Sequence, residues 1–134
     1  MSEPDEEKSD RIKLLLIDDE RAYVRILAKR LTKRNFDVTT AFSGTEGIQA
    51  ARKEDFSVAV LDLKMEDIDG IEVLKIFKKM APDMQVIMLT GHGSEQAARE
   101  GVQFGAFDYL TKPCELEDLV EKIKEAARKV EPQS

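Results

Sequence analysis

The sequence predicts an α/β fold, with five strand–helix pairs around one parallel sheet of order 2-1-3-4-5 and helices on both faces. Three observations carry this. Short apolar runs of strand length alternate with segments whose apolar residues recur at helical spacing, five times in succession. Three of the strand segments are continuous apolar runs and two alternate apolar with polar, which separates strands covered on both faces from strands at the sheet edges. The 134 residues, 42% hydrophobic and 36% charged, suit one soluble domain with its own core.

The elements follow in order. Ile12 to Ile17, IKLLLI, is a strand-length apolar run, and Val24, Leu27, Ala28 and Leu31 then mark one face of a helix. Phe36-Asp37-Val38-Thr39 alternates as a half-buried strand does. Ser43-Gly44-Thr45-Glu46 has the form of a capping box and opens a helix carrying Ile48 and Ala51. Val58 to Leu61 is a second continuous run. After a loop over 62–69, Asp69 is placed to cap a helix with Val73, Leu74, Phe77 and Met80 inward. Val86 to Leu89 is the third continuous run. Ser94 to Gln103 is a helix poor in large aliphatics, and Phe107-Asp108-Tyr109-Leu110 alternates again. Leu116, Leu119, Val120, Ile123, Ala127 and Val130 give a strongly amphipathic last helix. With the alternating second and fifth strands at the edges, the arrangement is flavodoxin-like.

Residues 1–11 are expected to form an acidic flexible tail, 12–130 the folded domain and 131–134 a short C-terminal tail. Within the first ten residues, five acids against Lys8 contribute −4 of the net charge of −6, leaving the body at −2. No basic footprint for direct nucleic-acid binding is present. No apolar run is long enough for a membrane span, and the N-terminus lacks the apolar segment of a secretory signal. A lone cysteine, Cys114, rules out an internal disulfide and suits a reducing compartment, so a cytoplasmic domain is expected.

In an open sheet of this kind, ligands bind beyond the carboxyl ends of the strands, near the point where strand order reverses. Those ends carry Asp18 and Asp19 after the first strand, Asp62 after the third, Thr90 after the fourth and Lys112 after the fifth. Strands one and three are neighbours in the predicted order, so three carboxylates converge, flanked by a hydroxyl and an ammonium. Close carboxylates disfavour one another's ionisation. A hard divalent cation such as Mg²⁺ relieves that repulsion and retains sites for phosphate oxygens. Lysine adds a point charge for such an oxygen. The set suits phosphoryl transfer, with one carboxylate as nucleophile.

Four segments in order, each at a strand end, resemble the receiver domain of the two-component response regulators. They are Leu16-Ile17-Asp18-Asp19-Glu20, Val60-Leu61-Asp62-Leu63-Lys64-Met65, Leu89-Thr90-Gly91 and Tyr109-Leu110-Thr111-Lys112-Pro113. The family includes single-domain chemotaxis and sporulation regulators, and the likeness covers 12–130. It implies that Asp62 accepts a phosphoryl group from a sensor histidine kinase or a phosphotransfer protein. It implies a Mg²⁺ site, open also to Mn²⁺, made by Asp18, Asp19, Asp62 and the Lys64 backbone carbonyl. Lys112 would hold a phosphoryl oxygen, Thr90 would move toward the phosphoryl group, and the Tyr109 ring would turn inward behind it. A cis Lys112–Pro113 bond is part of the same pattern. So is a two-state surface on the fourth helix, fifth strand and fifth helix, able to bind an output protein or domain or a second copy of the chain.

The family commonly has proline four residues after the phosphoacceptor, where this chain has Glu66, followed by Asp67. That loop is expected to lose a rigid turn residue and to gain charge beside an acidic site, altering metal affinity or phosphate lifetime. Lys64 and His92 occupy positions that influence hydrolysis in the family.

Taken singly, these residues have plain structural roles as well. Asp18 and Asp19 suit a helix cap, Thr90 a strand end, Tyr109 an edge-strand aromatic, and His92 an exposed loop. Gly91-His92-Gly93 lacks the third small residue of a dinucleotide fingerprint, since Gln96 stands there. Cys114 and the methionines read as packing residues. Two other functions compete with the switch. A pseudo-receiver would bind partners without phosphorylation, and the five key positions argue against it. A Mg²⁺-dependent phosphohydrolase of the haloacid dehalogenase type would place a second Asp two residues after the nucleophile, where this chain has Lys64. The expected activity is self-phosphorylation rather than turnover of an external substrate.

Overall fold

The computed structural model of the protein describes residues 11–91 and 93–129. The expectations placed on residues 1–10, His92, Val130 and 131–134 lie outside the described residues. Strands and helices alternate as β1 (Ile12–Ile17), α1 (Arg21–Lys33), β2 (Phe36–Ala41), α2 (Gly44–Lys53) and β3 (Val58–Asp62). They continue as α3 (Gly70–Met80), β4 (Gln85–Thr90), α4 (Glu95–Gln103), β5 (Asp108–Thr111) and α5 (Leu116–Arg128). All strand pairs are parallel, and the sheet order is β2-β1-β3-β4-β5.

The period of two along a strand explains why the central strands are apolar throughout. Leu15 and Ile17 of β1, Ala59 and Leu61 of β3 and Val86 and Met88 of β4 point to one face. There they meet Ile48 of α2, Val73, Leu74 and Phe77 of α3 and Ala98 of α4. Leu14, Leu16, Val58, Val60, Ile87 and Leu89 point to the other, against Val24, Leu27 and Leu31 of α1 and Leu119, Val120 and Ile123 of α5. Each of these side chains larger than alanine, once buried, contributes roughly 1.5–3 kcal/mol. The poverty of α4 in large aliphatics has a packing reason: a β-carbon at Gly101 would stand 2.4 Å from Met88 Sδ, so small residues let α4 lie close on β4.

The structure differs from the sequence expectations at four places. Strand β5 begins one residue later than expected, and all four of its residues are half-buried instead of alternating. Helices on both faces shade this short edge strand, which leaves no fully exposed side. Asp69 stands at the N-cap of α3 but makes no side-chain cap bond; its carbonyl accepts from Val73 N–H instead. At α2, Ser43 Oγ accepts from Glu46 N–H at 3.1 Å as expected, whereas the Glu46 carboxylate reaches back to Phe42 N–H, one residue before the cap. Asp67 does not add its charge to the acidic site, because its carboxylate is bonded to the first turn of α2.

Candidate functional site: an acidic cluster with one lysine

Register brings the strand ends together. Ile17 pairs with Leu61 across β1 and β3, so the residues that follow, Asp18 and Asp62, leave the sheet side by side. Carboxylate oxygens of Asp18, Asp19 and Asp62 lie within 4.8 Å of one another. Asp18 and Asp62 are 1% and 6% exposed, whereas Asp19 is half-buried at the rim. Neither Asp18 nor Asp19 caps α1, whose N-cap is Glu20; Asp18 Oδ1 instead accepts from Glu20 N–H at 3.0 Å.

Lys112 enters from the β5 end, where its N–H donates to Thr90 O at 2.7 Å. The Lys112–Pro113 peptide bond is cis. Its ammonium donates to Asp18 Oδ2 at 2.8 Å, to Asp62 Oδ1 at 3.2 Å and to Glu20 Oε1 at 3.2 Å. One cation thus serves three carboxylates, with Asp19 beside them. The same Nζ lies 4.6 Å from the centroid of the Tyr23 ring, which roofs it. Burial alone would lower the Lys112 ammonium. The hydrogen bond to Asp18 and the charges of Asp62 and Asp18, with Glu20 added, carry it well above its ordinary value.

Asp62 is where the imbalance falls. Burial first, then repulsion from Asp18, raises its carboxyl from an ordinary 3.8 to about 6, against the opposing pull of Lys112. Oxygen donors this close and this negative fit a hard divalent cation such as Mg²⁺, which takes carboxylate ligands and retains several waters.

The other expected site residues are arranged around this cluster. Thr90 is fully buried at the end of β4, and its hydroxyl donates to Gly91 O at 3.3 Å. Tyr109 lies on the neighbouring strand, partly buried against the core beneath α2, α3 and α4. Lys64 and Glu66 are exposed in the β3–α3 loop, where the Glu66 N–H donates to Asp19 Oδ2 at 3.2 Å. Burial, with the charge of Asp118, pushes the Cys114 thiol up, in keeping with a packing residue.

Sequence reasoning missed the part played by four residues. Glu20 and Tyr23 both contact Lys112, and a signal was present: they follow Asp18-Asp19 on the last residue before the helix and on its first turn. Asp67 was seen only as added charge. Gly70, which opens α3, also serves the site. A β-carbon there would stand 2.6 Å from Leu63 Cα and 2.8 Å from Leu63 O, so glycine lets the helix start against the backbone that follows Asp62.

The fold and this cluster define a class, and the comparisons agree. The sequence model of the response regulator receiver domain matches residues 14–124, and the chain belongs to that family. Transcriptional regulatory protein GlrR of Escherichia coli (strain K12) is 37% identical over 119 residues, 89% of this chain and 27% of that protein. Photosynthetic apparatus regulatory protein RegA of Cereibacter sphaeroides is 36% identical over 110 residues, 82% of this chain and 60% of that one. The chain therefore spans less than two thirds of either curated relative. A solved receiver domain protein from Clostridium thermocellum superposes with a TM-score of 0.85 at 36% identity, covering 88% of this chain and 95% of that one. A CheY-like receiver domain protein from Methanospirillum hungatei gives 0.85 at 31% identity, covering 90% and 97%. The chain is thus a two-component receiver domain, a signalling module. No helix among the described residues is long and apolar enough to cross a membrane.

Proposed function

We propose that the domain is a phosphorylation switch in the cytoplasm, with Asp62 as phosphoacceptor. The observation that carries this is the meeting of Asp18, Asp19 and Asp62 around a single lysine ammonium at the switch point of the sheet. An Asp62 oxygen forms the new O–P bond as the N–P bond of a phosphohistidine breaks, and the electron pair remains on the imidazole nitrogen. The donor is a sensor histidine kinase or a phosphotransfer protein. Asp18, Asp19 and Asp62, with the Lys64 carbonyl, hold Mg²⁺ or Mn²⁺. A divalent ion there supplies neutralisation of the charge that builds on the phosphoryl oxygens. Lys112 keeps one of its donors for a phosphoryl oxygen, releasing Asp62 Oδ1 or Glu20 to do so.

Phosphorylation adds about −1.5 to −2 charge at the cluster. Thr90, buried one strand away, turns its hydroxyl from Gly91 O to the phosphoryl group, and the Tyr109 ring follows into the space behind it. Thr90 pairs with Thr111 of β5 and Tyr109 lies on β5 itself, so the α4–β5–α5 face changes its shape for an output protein, an output domain or a second copy of the chain. The output acts through this contact, without direct nucleic-acid binding by the domain itself. Lys64, Glu66 and His92 set how long the phosphoryl group survives.

The test is intact mass after incubation with a small phosphodonor and Mg²⁺, with Asp62→Asn as control. A metal-dependent, base-labile phosphoryl adduct on wild type and none on the variant is expected. No adduct, even from a competent histidine-kinase donor, would replace this reading with a phosphorylation-independent interaction module.

A further inference from the structure

The β3–α3 loop is held from outside by one of its own side chains. The Asp67 carboxylate lies over the first turn of α2. There Oδ1 accepts from Gly44 N–H at 3.0 Å, and Oδ2 accepts from Thr45 N–H at 2.9 Å and from Thr45 Oγ1 at 2.8 Å. Ser43 Oγ takes Glu46 N–H, so the leading amides of α2 all find acceptors, two of them on a different loop. Slight burial would raise the Asp67 carboxyl, but the bonds from Thr45 and Gly44 hold it at about 2, as the positive end of a helix favours. Contact here is close: a β-carbon at Gly44 would stand 3.0 Å from Val73 Cγ2 and 3.2 Å from Ile68 Cβ. One residue before this anchor, Glu66 N–H is bonded to Asp19 Oδ2.

We infer that Asp67 is a positioning residue for the carboxylate cluster: by tying the β3–α3 loop to α2, it sets the Glu66 amide that orients Asp19 for a divalent cation. This rests on the proposed Mg²⁺ site. Where a turn proline would stiffen such a loop from within, here the stiffness comes from hydrogen bonds between the loop and a helix. Partners that orient a ligand typically change metal affinity about 10–100-fold when removed. Asp67 acts one residue further back, so the low end of that range applies.

The experiment is a Mg²⁺ titration of the full chain followed through the backbone amide signals of Asp18, Asp19 and Asp62, alongside the melting temperature. Asp67→Ala is expected to weaken Mg²⁺ binding about tenfold. Thr45→Val removes one of the three donors and weakens it less, in the same direction, should Asp67→Ala fail to fold. Ser43→Ala removes the cap of α2 but leaves the loop anchored; it lowers the melting temperature and leaves Mg²⁺ affinity unchanged. Wild-type affinity in both loop-anchor variants overturns the inference, as does equal weakening in Ser43→Ala, which would mean that α2 stability alone matters. A folded wild type whose cluster amides ignore Mg²⁺ overturns the metal reading itself.

Discussion

Replacing Asp62, the proposed phosphoacceptor, with its neutral isostere asparagine is expected to stabilise the metal-free protein. The Asp62 carboxyl is held at about 6 against an ordinary 3.8, by burial and by Asp18. A raised acid binds more protons folded than unfolded, so stability falls as pH rises through that window. Below about pH 4 both states are protonated and nothing is lost; above about pH 6 the full penalty applies. The gap corresponds to about 3 kcal/mol, and water reaching the open rim reduces it to about 1–3 kcal/mol. Asp62→Asn removes the charge while its amide oxygen still accepts from Lys112, which also keeps Asp18 and Glu20. For a chain of this length each kcal/mol moves Tm by about 3–5 °C, so a gain of about 3–15 °C is expected at pH 7.5 in EDTA.

The assay is urea and thermal denaturation of wild type and Asp62→Asn from pH 4 to 8, with and without Mg²⁺. Three results must coincide: the variant is more stable at neutral pH in EDTA, its advantage closes as pH falls toward 4, and Mg²⁺ narrows it by stabilising wild type. At ten times its dissociation constant, the ion contributes about 1.4 kcal/mol. A variant no more stable than wild type in EDTA at pH 7.5 would refute the reasoning, because burial and Asp18 would then not be opposing the Asp62 charge.

Lys112→Ala leaves Asp18 and Asp62 without a cation and is expected to cost about 2–3 kcal/mol in EDTA at pH 7.5, a loss that shrinks toward pH 5 and on adding Mg²⁺, read by urea denaturation. Gly70→Ala forces a β-carbon onto the Leu63 backbone and is expected to cost about 3 kcal/mol, whereas Gly101→Ala meets only side-chain ends, the Met88 thioether and, at 3.2 Å, Ile71 Cδ1, which shift aside and hold the cost within about 1 kcal/mol, both by thermal denaturation. Glu66→Pro deletes the N–H that bonds Asp19, at about 1 kcal/mol, and so weakens Mg²⁺ binding more than Glu66→Gln, which removes the charge and keeps the donor; titration calorimetry separates the two.

The sheet was legible because burial writes a period. Leu14 to Ile17, Val58 to Leu61 and Val86 to Leu89 must satisfy two apolar faces at once, and only central strands ask for that. The cluster was legible for a related reason: in a parallel sheet every strand end faces the same side, so a residue's place after a strand fixes its place in space. Asp18, Asp62, Thr90 and Lys112 needed no longer-range information. Side chains whose partners lie across a loop were not legible, since nothing local specifies them. Asp67 follows Glu66 as one more acid in the sequence, and its pairing with Gly44 and Thr45 exists only once α2 and α3 have packed. The same holds for Tyr23, whose ring reaches Lys112 only once α1 has packed on the sheet face it shares with α5. The legible part supplies the reacting groups, and the illegible part supplies their orientation. On the proposed reading, relatives sharing the Asp-Asp, Asp and Lys positions are expected to differ in metal affinity and phosphate lifetime where they differ at residues such as Glu20, Glu66 and Asp67, whose contacts steer the shared ones.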